Sequence, residues 1–430
     1  MKGIPEQFDL AAEMQVPLEG QLLTIDLCAS FLAELGICVR NNLLTKETEV
    51  TGNLNGYSEA NAPNILPTVL ADLLRQNKVK GVTTTRVKEI LSCIADANRY
   101  NPVEEYLHGL RWDGEDRLTG IYNILNVSAT EHKTYIRKWM IQCVALGLND
   151  YRHPVSAEGV LVLDGAQGLG KTSVFRALSP FQRWFAEGVS LDMRDKDSKI
   201  QALSSWICEL GELDGTTKKE QPALKAFLTQ CDDRIRYPYD RAAIVSPRMT
   251  SFCGTVNGDT FLRDITGSRR FWVVRLEKID KETLFALSQK SKDQLWAQVY
   301  EMYLENPNGF RLTDEEMVQL QRDNAQFEVP LPYETEIRDL LDYDLGFDDW
   351  EWWSAAKLQQ VGIIGSRSGD AEKIGRVLTK LTKEFEWKGF KRPSGESLKR
   401  KAHGVWQYLI PLRQLPAVVS ASPSSPKAAY

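Results

Sequence analysis

At 430 residues the chain is long enough for two or three domains rather than one. A formal net charge of −5, with ordinary hydrophobic (43 %) and charged (26 %) fractions, excludes a uniformly basic protein, so any nucleic-acid contact must be local. The seven cysteines (Cys28, Cys38, Cys93, Cys143, Cys208, Cys231, Cys253) are scattered without a C-x-x-C pair or a ligand-spaced histidine. That argues against a zinc site or disulfide framework and for a reducing cytoplasm. Neither a signal peptide nor an apolar run of membrane-spanning length is read, so no membrane partner is expected.

Residues 1–100 read as mainly helical, with apolar residues at helical spacing over 24–35, 64–74 and 86–94 and a small hairpin at 39–43 and 48–51. This stretch carries no catalytic constellation and suits partner binding, DNA binding or assembly. Residues 101–157 continue as a helical segment with a polar turn at 111–117. His108, His132 and His153 each lack a ligand-spaced partner and read as ordinary histidines.

The core, 158–326, opens on an apolar run at 159–164 and the loop Gly165-Ala166-Gln167-Gly168-Leu169-Gly170-Lys171-Thr172-Ser173. Two glycines five apart, then Lys and Thr, match the phosphate-binding pattern. Glycines let consecutive amides point at a polyphosphate. Lys171 is then the cation for the β- and γ-phosphates, and Thr172 a ligand for Mg²⁺, so the expected cofactors are ATP and Mg²⁺. The strand before the loop and the helix after it, over 172–178, supply the context the motif needs.

About forty residues on, Trp206-Ile-Cys-Glu-Leu-Gly-Glu212 is an apolar strand ending in carboxylates. Glu209 is placed to hold the metal and Glu212 to polarise the attacking water. A helix over 221–230 precedes Arg234 and Arg236, which alternate with Ile235 and Tyr237. A turn near Asp240 and a return at 244–245 then make a hairpin. Arg234, Arg236, Tyr239 and Arg241 suit single-stranded nucleic acid, with arginines for phosphates and tyrosine for base faces; a solvated hairpin face is the alternative. The strand at 251–257 ends in Asn257, able to hold the lytic water or sense the γ-phosphate. Arg269 and Arg270 stand just before a further strand, where a planar cation can neutralise charge on a transferring phosphoryl group.

GAQGLGKT (165–172), WICELGELDG (206–215), LKAFLTQCDDRIRYPYDR (224–241), CGTVNGDTFLRD (253–264) and TGSRRFWVV (266–274) together resemble the virulence-associated protein E family of phage and mobile-element ATPases. That family resembles superfamily 3 helicases of the AAA+ class. The resemblance covers roughly residues 100–330 and implies an α/β P-loop AAA+ core in a DNA-stimulated, hexameric ATPase of a bacterial host's cytoplasm. It also implies that Asn257 is the sensor and that Arg270, with Arg269 second, is the arginine finger for a neighbouring subunit's nucleotide. The 234–241 hairpin would line the central channel. The spacing E-L-G-E, in place of adjacent acids, leaves open which of Glu209 and Glu212 is the base.

Residues 327–353 read as a linker and acidic segment, and 416–430 as a disordered tail rich in Ser, Pro and Ala. Between them, residues 367–401 carry eleven Lys/Arg against five Asp/Glu. A helix at 370–383, a strand at 387–391 and a strand at 404–410 suggest a winged-helix-like domain over 354–415. Arg376, Lys380, Lys391, Arg392, Lys399 and Arg400 are its expected DNA contacts, and a solvated charged face is the alternative.

The leading expectation is an ATP-dependent DNA helicase of phage or mobile-element replication, acting on single-stranded or forked DNA with a separate primase or replication initiator as partner. The alternative is an AAA+ ATPase that melts origin DNA or loads another helicase. A small-molecule phosphotransferase would need a second-substrate signature that is not read here.

Overall fold

The computed structural model describes residues 18–53, 57–192, 195–211, 213, 221–236, 242–258, 260–262, 268–360 and 369–413. Two units emerge, one drawn from Met1–Asp259 and Thr266–Leu320, the other from Thr260–Ile265 and Gln321–Tyr430.

The first unit begins with helices Ile25–Glu34, Ala62–Gln76 and Thr84–Ala97, packed on an antiparallel hairpin of β1 (Ile37–Asn42) and β2 (Glu47–Gly52). Their apolar spacing puts Leu66, Leu70 and Leu74 of one helix and Val87, Ile90, Leu91 and Ile94 of another into a shared core. Thr24 and Thr83 cap two of these helices by accepting from the amides of Leu27 and Arg86. Each helix and both strands lie within a turn of the sequence reading.

Helix Thr130–Gly147 is buried on nearly every side and anchors the central sheet. Trp139 Nε1 donates to the Phe252 carbonyl (2.9 Å), and Gln142 bonds both the carbonyl (2.8 Å) and the amide (3.1 Å) of Gly159. The chain then forms β3 (Val160–Asp164), β4 (Phe185–Val189), β5 (Ile207–Leu210), a separate hairpin of β6 (Asp232–Ile235) and β7 (Ile244–Pro247), then β8 (Ser251–Val256) and β9 (Phe271–Arg275). Strands β4-β5-β8-β3-β9 make one all-parallel sheet in that order. All five residues of β3 are buried, as expected of a strand covered on both faces, where an unbroken apolar run replaces alternation.

The second unit holds helices Glu334–Asp339, Ala355–Gln360 and Asp370–Trp387. Its antiparallel sheet is ordered β10-β12-β11, with β10 at Glu351–Trp353, β11 at Lys399–Ala402 and β12 at Val405–Ile410. The segment read as a linker therefore contributes a helix and an edge strand. The strand expected at 387–391 is absent. The buried series Ile374, Val377, Leu378, Leu381, Phe385 keeps helical period to Trp387, and Gly389, at φ +93°, ends the helix. The basic hairpin is instead β11 with β12.

Candidate nucleotide site and nucleic-acid surfaces

The carboxyl ends of the parallel strands are where an α/β sheet offers a ligand crevice, and the glycine loop stands there between β3 and helix Lys171–Leu178. Its backbone is a cradle that side chains would fill. A Cβ on Gly165 would lie 2.6 Å from the Leu276 carbonyl oxygen and 2.9 Å from Leu169 Cδ2. Gly168 and Gly170 have φ of +79° and +99°, a region that favours glycine. Ala166, Gln167 and Gly168 are exposed, while Ser173 lies in the first turn of the helix.

Lys171 is buried, its Nζ donating to the carbonyls of Gly165 (2.6 Å) and Ala166 (2.9 Å) and to Asn257 Oδ1 (3.1 Å). Burial holds its pKa below the ordinary lysine value, and the Asp164 charge partly opposes that shift. Thr172 Oγ1 donates to Glu209 Oε1 (2.6 Å), which also accepts from Thr255 Oγ1 (3.2 Å), while Glu209 Oε2 accepts from the Gly188 amide (3.3 Å). Glu209 is 3 % exposed, so a carboxylate and a hydroxyl meet at the helix N-terminus away from bulk water. A hydroxyl beside a carboxylate is a hard-oxygen donor set of the kind Mg²⁺ takes, and the open glycine backbone fits a polyphosphate. The residues present therefore fit Mg²⁺ and a nucleotide.

Four further residues shape this crevice and were not singled out from sequence. Asp164, the last residue of β3, accepts from the Gly258 amide (2.7 Å) and from Arg275 Nε (2.8 Å), tying the ends of β8 and β9 to the loop. Thr255 shares Glu209 with Thr172, and Lys281 Nζ donates to the Gly168 carbonyl (2.9 Å). An acid ending a strand just before a glycine loop was the available signal for Asp164; Lys281, 113 residues from Gly168, had none.

Arg269 and Arg270 stand elsewhere. Their turn precedes β9, whose Phe271 pairs with Val160 at the amino end of β3. The length of β3, on the order of 15 Å at about 3.3 Å per residue, separates that edge from the loop. Both arginines line a cleft of about 260 Å³ with Glu158, Thr229, Trp272 and Met317. Glu212 lies outside the described residues.

Arg234 and Arg236 are exposed on the β6–β7 hairpin and just beyond β6, as the alternation predicts, with Asp233 turned inward. Tyr239 and Arg241 lie outside the described residues. The hairpin's base is held by Arg248, whose side chain is fully buried. Its guanidinium pairs with Asp233 (Nε–Oδ2 2.9 Å, and a second bond through Nη2), donates to the Phe227 carbonyl and Gln230 Oε1 (3.3 Å), and stacks 4.3 Å from the Phe227 ring. Asn149 Nδ2 bridges the Cys231 and Arg248 carbonyls, each at 2.9 Å.

In the second unit the expected DNA contacts separate. Lys391 and Arg400 are exposed, Arg376 pairs with Glu372 (2.5 Å), and Arg392 pairs with Glu396. Lys399 Nζ lies 3.1 Å from Thr379 Oγ1. Lys380 requires a correction. It is 8 % exposed and its ammonium sits between Glu328 (2.9 Å) and Glu334 (3.0 Å). These carboxylates hold its pKa above the ordinary value against the cost of burial. It is a structural cation and offers nothing to a phosphate.

A glycine loop between strand and helix, at the carboxyl edge of a five-stranded parallel sheet, defines the class: an α/β chain of the phosphate-loop type. The model of the virulence-associated protein E-like domain matches residues 107–329, and the chain belongs to that family. Among solved structures, the apo A form of the NrS-1 C-terminal region is similar at 12 % identity and TM-score 0.45, over 89 % of this chain and 98 % of that one. JCV helicase is similar at 12 % identity and TM-score 0.29, over 74 % of this chain and 97 % of that one. No curated protein matches.

Proposed function

We propose that this chain is an ATP-driven DNA helicase of phage or mobile-element replication, hydrolysing Mg²⁺-bound ATP between the subunits of a ring to move along single-stranded DNA. The observation that carries this reading is the arrangement at the two ends of β3. Lys171, Thr172, Glu209 and Asn257 converge at one end, whereas Arg269 and Arg270 stand at the other. A cation a strand's length from its own chain's loop can complete a nucleotide site only in a neighbouring copy. This supports shared sites and a ring, here taken as a hexamer.

Lys171 binds the β- and γ-phosphates, Thr172 and Glu209 hold the metal, and Asn257 orients the lytic water. Glu209 or Glu212 takes its proton, and Arg270, with Arg269 beside it, acts across the subunit boundary. Bound magnesium supplies charge neutralisation on the phosphates. Arg234 and Arg236, with Tyr239 and Arg241, hold the strand. Residues 158–326 act as the ATPase core, residues 101–157 lead into it, and residues 1–100 form the mainly helical N-terminal domain.

The order helix, strand, helix, helix, strand, strand, with sheet order β10-β12-β11, supports a winged-helix reading of the C-terminal unit. In that reading Lys391, Arg392, Lys399 and Arg400 meet DNA phosphates. Strand displacement on a forked duplex, with oligomeric mass measured in the same buffer, tests the reading. ATP-dependent displacement by a ring-sized species supports it. DNA-stimulated turnover without displacement would replace it with origin melting or helicase loading.

A further inference from the structure

The β11–β12 hairpin closes through His403 and Gly404, at φ +49° and +79°, a two-residue turn whose twist matches the strands. Beside that turn stands Trp406, opposite Lys401 in register and 48 % exposed. Trp406 shares a face of β12 with Tyr408. Tyr408 is buried against helix Asp370–Trp387, its hydroxyl 3.4 Å from Thr379 Oγ1. The indole thus lies on the helix side of the sheet but beyond the part the helix covers.

Cations surround it. Lys399 Nζ is 4.5 Å and Lys401 Nζ 5.9 Å from its ring centroid. Burial, and then the Lys383 charge on the facing helix, hold the Lys399 ammonium below the ordinary lysine value. The five carboxylates of the same stretch are engaged elsewhere. Asp370 pairs with Lys373, Glu372 with Arg376, Glu384 with Arg338 and Glu396 with Arg392, while Glu386 accepts from the Ser397 hydroxyl and the Leu398 amide. The charged groups placed against the indole are thus the ammoniums of Lys399 and Lys401. Trp352, on the opposite face and under Arg400 at 3.9 Å, is the less exposed of the two indoles. A half-exposed indole flanked by lysines joins the two features that hold single-stranded nucleic acid, a π-face for a base and cations for its phosphates.

We propose that Trp406, flanked by Lys399 and Lys401, is a stacking platform for an unpaired nucleobase, so that this hairpin engages forked or single-stranded DNA rather than duplex phosphates alone. It rests on the C-terminal DNA contact proposed above and adds a base-reading element to it. A polyanion without bases would engage the lysines but leave the indole idle, which separates the two contributions.

The test is equilibrium binding of the full chain to three labelled probes: a blunt duplex, a fork, and the same fork with abasic nucleotides at the junction. Trp406→Ala should weaken fork binding roughly tenfold and leave the blunt duplex and abasic fork within twofold. Trp406→Phe should retain the wild-type preference, and Trp406→Leu, apolar but without a π-face, should behave like Ala. No loss on the fork, or equal loss on all three probes, overturns the platform. If Lys399→Glu with Lys401→Glu leaves every probe unaffected, the C-terminal DNA contact itself falls, and the platform with it.

Discussion

Replacing Arg248 with Met should loosen the β6–β7 hairpin while leaving the parallel sheet intact. The guanidinium is wholly buried and makes two bonds to Asp233, one to the Phe227 carbonyl and one to Gln230. Methionine fills much of the space but leaves a buried carboxylate and a carbonyl without their donors. Breaking a buried ion pair from one side costs roughly 3–5 kcal/mol. Lys46, whose ammonium also feels the Asp233 charge, offsets part of this and favours the lower figure.

The hairpin's opening equilibrium should then rise roughly 10²- to 10³-fold. The assay is native-state hydrogen exchange on the amides of 232–235 and 244–246, with β3 amides as the internal standard. Adding Asp233→Leu should restore most of the protection, because the orphaned charge is gone. Exchange within threefold of wild type in Arg248→Met, or no recovery in the double variant, would refute the view that this pair anchors the hairpin.

Glu209→Gln keeps the oxygen that accepts from Thr172, though it sets an NH2 against the Gly188 amide, and should weaken Mg²⁺-ATP binding roughly 10- to 100-fold. Titrations with magnesium and with EDTA check this, and equal loss in both would remove Glu209 from the metal site. Arg270→Ala protein and Lys171→Ala protein, each inactive alone, should recover part of the turnover when mixed, because hybrid rings contain some intact shared sites. No recovery in rings shown by mass to be mixed would count against a finger acting in trans. Lys399→Glu with Arg400→Glu should lower DNA affinity and reduce the slope of log K against log salt by about two; an unchanged slope would return this cluster to a solvated charged face.

The nucleotide loop could be read from sequence because its chemistry is local. Glycines, lysine and threonine must be adjacent to wrap a phosphate, and an apolar strand must precede them. The same holds for Glu209 at a strand end and for the alternation that turns Arg234 outward and Asp233 inward. What escaped depends on partners distant in the chain. Arg248 carries no local sequence signal, and its partner Asp233 is fifteen residues upstream. Lys380 belonged to a basic stretch, but its neighbours are Glu328 and Glu334, about fifty residues upstream. The first strand of the basic hairpin was placed too early, at Trp387–Lys391, because burial of Phe385 extends the helix through Trp387. Edge strand β10 is only three residues long, too short for periodicity to reveal.

The central claim is that the loop and Glu209 form a working ATP site coupled to DNA. ATP turnover in magnesium, with and without single-stranded DNA, for wild type and Lys171→Ala tests it most directly. The account predicts DNA-stimulated hydrolysis by the wild type and none by the variant. Turnover in Lys171→Ala close to wild type would contradict the site, and wild-type turnover indifferent to DNA would contradict the coupling.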